Sequence, residues 1–130
     1  MATWNEVKGF LQSNFPTKLI NDQMLGIEIP LQGKDRSQYL LIGMDSTEWY
    51  GEVFMICSCI GTIPEHKLND VLSDIFGKVI GGLVAVNGTH YLRENIPASE
   101  YQQDTFLKQM GSIARIADEL EEKFVGGDKH

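Results

Sequence analysis

The segment from Leu83 to Phe124 constrains the fold more than any other part of the chain. Leu83-Val84-Ala85-Val86 is followed by Asn87-Gly88 and then by Thr89-His90-Tyr91-Leu92-Arg93-Glu94-Asn95-Ile96-Pro97. Asn-Gly between two apolar runs predicts a two-residue hairpin, because a type I′ turn needs positive φ at both central residues. Beyond it, Phe106, Met110, Ile113, Ala117, Leu120 and Phe124 recur at alternating spacings of four and three. Such spacing predicts a helix with one narrow apolar stripe, which must find an apolar surface to cover. Ser99 with Gln102 reads as a capping box that opens this helix at about Glu100, and the helix runs to Phe124.

The rest of the chain supplies that surface. Thr3 with Glu6 makes a capping box for a first helix, Trp4, Val7, Phe10 and Leu11 share one face of it, and Pro16 stops it. Asn21-Asp22 marks a turn. Leu25 to Leu31 alternates as a half-buried strand with Leu25, Ile27, Ile29 and Leu31 inward. Pro30 cannot donate to a ladder, so this is an edge strand or a strand near its end. Gln32 to Ser37 is a polar hairpin loop, Tyr39 to Met44 a second strand, and Asp45-Ser46-Thr47 the start of the next reversal. Glu52 to Ile60 is apolar on both faces, as expected of a strand central to its sheet and covered on both sides. Pro64 opens a second helix in which Leu68, Val71, Leu72, Ile75 and Phe76 make a complete apolar face, with Gly77 placed to end it.

The order is therefore helix, three strands, helix, two strands, helix. Every sequential pair of strands can be antiparallel, so the class is α+β, an antiparallel sheet with helices packed on it. Residues 1–125 read as a single domain and residues 126–130 as a flexible polar tail.

Charge narrows the range of partners. Eighteen acids against eleven bases give a net charge of −7, which repels phosphate. The bases do not cluster, since Lys34 and Arg36 have Asp35 between them. Neither nucleic acid nor membrane is an expected partner. No apolar run approaches the ~20 residues that cross a bilayer, and Thr3 to Phe15 reads as a mature helix rather than a leader, so the expected location is cytoplasmic.

Chemistry is sparse. His66, His90 and His130 have no second ligand at metal spacing, and Gly81-Gly82 lacks the further glycine and the lysine of a phosphate loop. His66 reads as a solvated surface residue and His90 as a cross-strand contact. Cys57 and Cys59 point to one face of a strand, roughly 6–7 Å apart, which suits buried reduced thiols better than a disulfide. Asp118-Glu119 with Glu121-Glu122 reads as a solvated helix face rather than a metal cluster. Arg93 is expected to point out of the sheet and pair with an acid. His90, Arg93 and Glu94 lie on both faces of one strand, so they form a catalytic group only if the strand bulges. The chain reads as non-enzymatic, with no cofactor and no metal. Trp49-Tyr50 at a strand reversal has two readings: an exposed anchor for a partner, or a pair folded back over the sheet edge.

The element order, the run Val86 to Pro97 and the later Ala114, Ala117-Asp118-Glu119-Leu120-Glu121 together make the chain resemble the YbjN-like family, which shares the fold of class I type III secretion chaperones. The resemblance covers nearly the whole length. It implies a protein-binding or chaperone-like domain that forms a homodimer and holds a segment of a protein partner on apolar grooves. It further implies dimerisation through Leu68 to Phe76 (Leu68, Val71, Leu72, Ile75, Phe76) and Leu83 to Val86 (Leu83, Val84). The alternative is a structural or regulatory homodimer acting through its outer surface.

Overall fold

Capping decides where the first helix begins. The Thr3 hydroxyl accepts from the Glu6 N–H at 3.2 Å, and the Glu6 carboxylate accepts from the Thr3 N–H at 3.4 Å, so two donors at the helix start are satisfied together. Helix α1 runs over Trp4–Asn14 and stops just before Pro16. The computed structural model describes residues 2–78 and 80–126. After α1 come β1 (Thr17–Asn21), β2 (Met24–Pro30), β3 (Ser37–Thr47), β4 (Gly51–Gly61), α2 (Leu68–Lys78), β5 (Gly82–Val86), β6 (Thr89–Pro97) and α3 (Gln103–Leu120). The six strands form one antiparallel sheet in the order β1-β2-β3-β4-β6-β5. The class is the expected α+β.

Strand alternation explains the layers. Leu25 pairs with Ile42, Ile42 with Ile56 and Ile56 with Glu94, while Ile27 pairs with Leu40, Leu40 with Ser58, Ser58 with Leu92 and Leu92 with Leu83. These residues share the inner face, on which α3 lies across β3, β4 and β6. Phe54 of β4 sits at the centre of an aromatic group, with ring centroids at 5.5 Å from Tyr101, 6.2 Å from Trp4 and 6.5 Å from Phe106. The whole Phe106–Phe124 stripe is buried, and so are Ala114 and Ile116 beside it. The stripe is thus covered by the chain's own sheet. The outer face carries Tyr39, Leu41, Met55, Cys59, Tyr91 and Val84, all partly or largely exposed. β4 is central, as its composition requires, but its outer face has no such cover: Cys57 and Val53 are buried while Met55 and Cys59 are half-exposed.

The hairpin at Asn87-Gly88 forms as predicted, with φ of 50° and 81°, and joins β5 to β6. Other boundaries differ. β1 is an additional strand, so three strands between the first helices become four. Its residues after Thr17 are exposed, and only backbone pairing with β2 holds it, so no apolar alternation announces it. β1 takes the edge from β2, and Pro30 lies at the end of β2. β3 continues through Thr47, and the reversal falls at residues 48–50, where the Thr47 hydroxyl accepts from the Tyr50 N–H at 2.8 Å.

Helix ends also shift. Gly77 lies inside α2 rather than beyond it, and a 3-10 turn at Glu65–Lys67 precedes that helix. Ser99 belongs to a second 3-10 turn, Ala98–Glu100, so α3 starts at Gln103, and Gln102 makes no side-chain cap. A π turn over Glu121–Val125 completes the stripe. Residues 127–130 of the expected tail lie outside the described residues. One close approach demands glycine: Tyr39 lies across Gly26, where a Cβ would stand 1.6 Å from the phenol oxygen.

Leu120 is 1% exposed in the seam. Leu120→Asp is expected to destabilise the fold by at least about 3 kcal/mol, because it leaves a charge unpaired in a desolvated site. Urea denaturation measures this, and a midpoint equal to wild type would contradict it.

Candidate interaction surface

Helix α2 buries only half of its apolar face. Val71 (0% exposed) and Ile75 (8%) turn into the core, Leu68 is half-buried, and Leu72 (50%) and Phe76 (88%) face solvent. Val71 is therefore a core residue and not available to a partner, contrary to the dimer surface that the family resemblance implies for it. The split follows from the position of α2 beside α3. Lys78 reaches Glu119 at 3.1 Å and Lys123 reaches Asp74 at 3.4 Å, so the two helices lie side by side. One row of a five-residue face is enough to close the core there, and the second row is left over.

Beside that second row lies β5, which among the described residues pairs with β6 and with no other strand on its far edge. A free strand edge presents unpaired N–H and C=O groups to any further strand. Leu83 shares the inner face with Leu92, while Val84 shares the outer face with Tyr91, so apolar side chains wrap the edge from both sides. Val84 is 36% and Val86 58% exposed. Between helix and strand is a cleft of about 630 Å³ lined by Leu72, Ile75, Phe76, Gly81, Gly82 and Leu83. Leu72 and Phe76 therefore meet Leu83 in one apolar cleft, while Val84 and Val86 lie on the outer face of the same strand. Val86, at the end of the expected segment Leu83 to Val86, is the most exposed of its large apolar residues.

Trp49 and Tyr50 stay apart from this patch. They occupy the β3–β4 turn, 85% and 71% exposed, at the end of the sheet where Val53 pairs with Pro97. Trp49 is too exposed to cover the sheet edge. Tyr50 lines a separate cleft with Val53, Asn95, Pro97 and Glu100.

The acidic run at the end of α3 is only half solvated: Glu119 and Glu122 reach solvent. Asp118 and Glu121 are each 1% exposed. Asp118 receives Lys34 Nζ at 2.7 Å and both Arg36 Nε and Arg36 Nη2 at 2.8 Å, a bidentate clamp; Arg36 also donates to Glu122. The β2–β3 loop folds over α3 and brings together residues 84 positions apart in sequence, which no local pattern reveals. Hydrogen bonds from Arg36, and then from Lys34, hold the Asp118 carboxyl below its ordinary value against the opposing effect of burial. Asp118 and Glu122 in turn raise Arg36.

His90, Arg93 and Glu94 are each engaged separately. His90 Nδ1 accepts from the Ile63 N–H at 3.1 Å, and Glu94 accepts from the Gly81 N–H at 2.7 Å. Arg93 lies on the opposite sheet face, where it donates to Asn95 at 3.0 Å and stands 4.0 Å from Asp45. The three are not brought together. Cys57 and Cys59 are free thiols on one sheet face. Burial pushes Cys57 up to about 11 and raises Cys59 as well, although Cys59 is half-exposed rather than buried. Among the described residues no three His, Cys, Asp or Glu side chains form a metal-binding group, and no helix is long and apolar enough to cross a membrane.

Comparison of the sequence with protein-family models and with curated proteins finds no match.

Two measurements test the electrostatics. Asp118 is depressed below its ordinary 3.8, so its clamp contributes fully above that value and is lost as pH falls through the lower folded value. Asp118→Asn is expected to cost about 2–3 kcal/mol at pH 7, with the difference from wild type shrinking as pH falls below about 4; a constant difference down to strongly acid pH would contradict the assignment. Iodoacetamide at pH 7 is expected to label Cys57 at least about 100-fold more slowly in the native protein than in urea, because the thiolate is scarce and screened.

Proposed function

We propose that this chain is a non-enzymatic protein-binding module that associates with a second copy of itself. The observation that carries this reading is the apolar cleft formed by Leu72, Phe76 and Leu83 beside a strand edge with no partner strand among the described residues, whose outer face adds the exposed Val84 and Val86. A phenylalanine 88% exposed on a helix, next to unpaired backbone groups, leaves both apolar area and hydrogen bonding unmet in the monomer. Self-association about a twofold axis covers the same patch on both copies at once. The α+β element order accords with the resemblance to the YbjN-like family, and we extend to this chain what that resemblance implies: a homodimer whose remaining apolar surfaces hold a segment of a protein partner. Its location is proposed to be cytoplasmic, with neither nucleic acid nor membrane as a partner.

A second reading, a regulatory homodimer working through its outer surface, draws on Trp49 and Tyr50. Exposed aromatics of this size at a turn are typical anchors in interface pockets.

Light scattering is expected to give a dimer at micromolar concentration, and Phe76→Asp combined with Leu72→Asp a folded monomer with native circular dichroism. A wild-type monomer at that concentration would overturn the dimer. Trp4 is buried with its indole N–H on the Asp22 carbonyl at 2.8 Å, so Trp49 alone reports the β3–β4 turn. Acrylamide is expected to quench Trp49 equally in dimer and monomer, with protection appearing only if a partner anchors there.

A further inference from the structure

The inner face of the sheet has a second opening, remote from α2 and β5. A cleft of about 480 Å³ runs between the end of β2 and one flank of α3, lined by Ile29, Pro30, Leu31 and Gln32 on one side and Lys108, Gly111, Ser112 and Arg115 on the other. Its floor is apolar, with Ile29 half-buried and Leu31 buried. Its helical wall is basic.

Three observations set this cleft apart from an ordinary solvated helix flank. First, the chain holds eighteen acids and eleven bases, and five of the bases are ion-paired: Lys34 and Arg36 with Asp118 and Glu122, Lys78 with Glu119, Lys123 with Asp74, and Arg93 with Asp45. Lys108 and Arg115 have no carboxylate partner among the described residues, yet both line one cleft whose other residues carry no charge. Second, they stand two helical turns apart, about 10 Å along the axis. Third, Gly111 lies between them. Glycine weakens a helix relative to alanine, and a Cβ at this position would meet no atom within 4 Å. Internal packing does not require this glycine, any more than it requires Gly9 or Gly77, but here the missing side chain leaves the cleft open between the two cations.

We propose that this cleft binds an extended segment of a partner protein with the pattern acidic-x-apolar-x-acidic. In an extended chain, alternate residues face the same way at about 3.4 Å rise, so the two carboxylates lie about 13 Å apart with the apolar side chain midway. The long stems of Lys108 and Arg115 splay to reach the two carboxylates. The apolar side chain enters over Gly111 and lands on Ile29 and Leu31. Charge complementarity selects this occupant: the chain as a whole, at −7, repels extended anionic surfaces, while a local basic pair across an apolar floor favours an anion with an apolar centre. The proposal rests on the reading of this chain as a protein-binding module, but the site shares no residue with the α2–β5 patch, so it stands or falls independently of dimer formation.

The test is fluorescence anisotropy with a labelled seven-residue peptide carrying glutamate at its second and sixth positions, leucine at its fourth and serine elsewhere. Saturable binding is expected, weakened by about three- to tenfold by Lys108→Gln, by Arg115→Gln, or by glutamine in place of either peptide glutamate. Serine in place of the leucine is expected to weaken it similarly. Gly111→Leu is expected to abolish binding while melting no lower than wild type, because it fills the cleft without meeting the protein's own atoms. Phe76→Asp should leave binding unchanged. The proposal is overturned if the glutamine peptide binds as well as the glutamate one, if saturation is absent up to millimolar peptide, or if Gly111→Leu binds normally. It is also overturned if decanoate displaces the peptide at lower concentration, which would make the site one for small acyl anions. Conversion of a dimer to a monomer by Arg115→Gln would overturn it as well, since the occupant would then be a second copy.

Discussion

The seam between α3 and the inner face of the sheet is the constraint on which everything else in this structure depends. Two rows of apolar residues, Leu25-Ile42-Ile56 and Ile27-Leu40 continuing to Leu92, would face water without it. The α3 stripe covers them, and burial of that area is the dominant favourable contribution to folding. Phe54 links the pieces, since Trp4 from α1, Tyr101 from the turn before α3 and Phe106 from α3 all pack on the same ring.

Apolar burial is non-directional and does not choose a register. Polar groups inside the seam do. Gln38 donates to Ser58 Oγ at 3.0 Å and to the Cys59 carbonyl at 2.9 Å, and Ser58 donates to the Tyr39 carbonyl at 2.9 Å. A slip of one residue between β3 and β4 would move this set to the other face and leave buried donors unmet. The Asp118 clamp acts in the same way on the β2–β3 loop, tying it to one place on α3. Both features cost desolvation and give specificity of arrangement in return, a role attested for buried polar groups elsewhere.

Helical cover is unevenly distributed, and the surfaces proposed for binding are its consequence. With α3 over the centre and α2 beside it, one row of α2 suffices to close the core near β6. Leu72 and Phe76 remain outside, next to the unpaired edge of β5. On its other flank α3 leaves a gap to β2, open at Gly111 and bordered by two cations with no carboxylate partner among the described residues. These sites arise where the fold runs out of elements to cover its own inner layer.

Local features were legible in the chain. Asn87-Gly88 marks its hairpin because the turn geometry is decided by two adjacent residues, and the Phe106–Phe124 stripe marks its helix because periodicity is decided within a few turns. The capping box at Thr3 and Glu6 and the central position of β4 are legible for the same reason. β1 was not, since its pairing is a backbone matter and its side chains are exposed. The fate of the acidic run was not, since the cations that bury Asp118 arrive from a loop on the far side of the sequence. The sequence by itself determined which segments become helix or hairpin and which side chains are apolar. Only the tertiary structure decided that Val71 is core while Phe76 is surface, and that Asp118 is clamped while Arg115 has no carboxylate partner among the described residues. Apolar spacing and charge are properties of one segment, but burial and pairing depend on which other segment arrives, and on where cover ends.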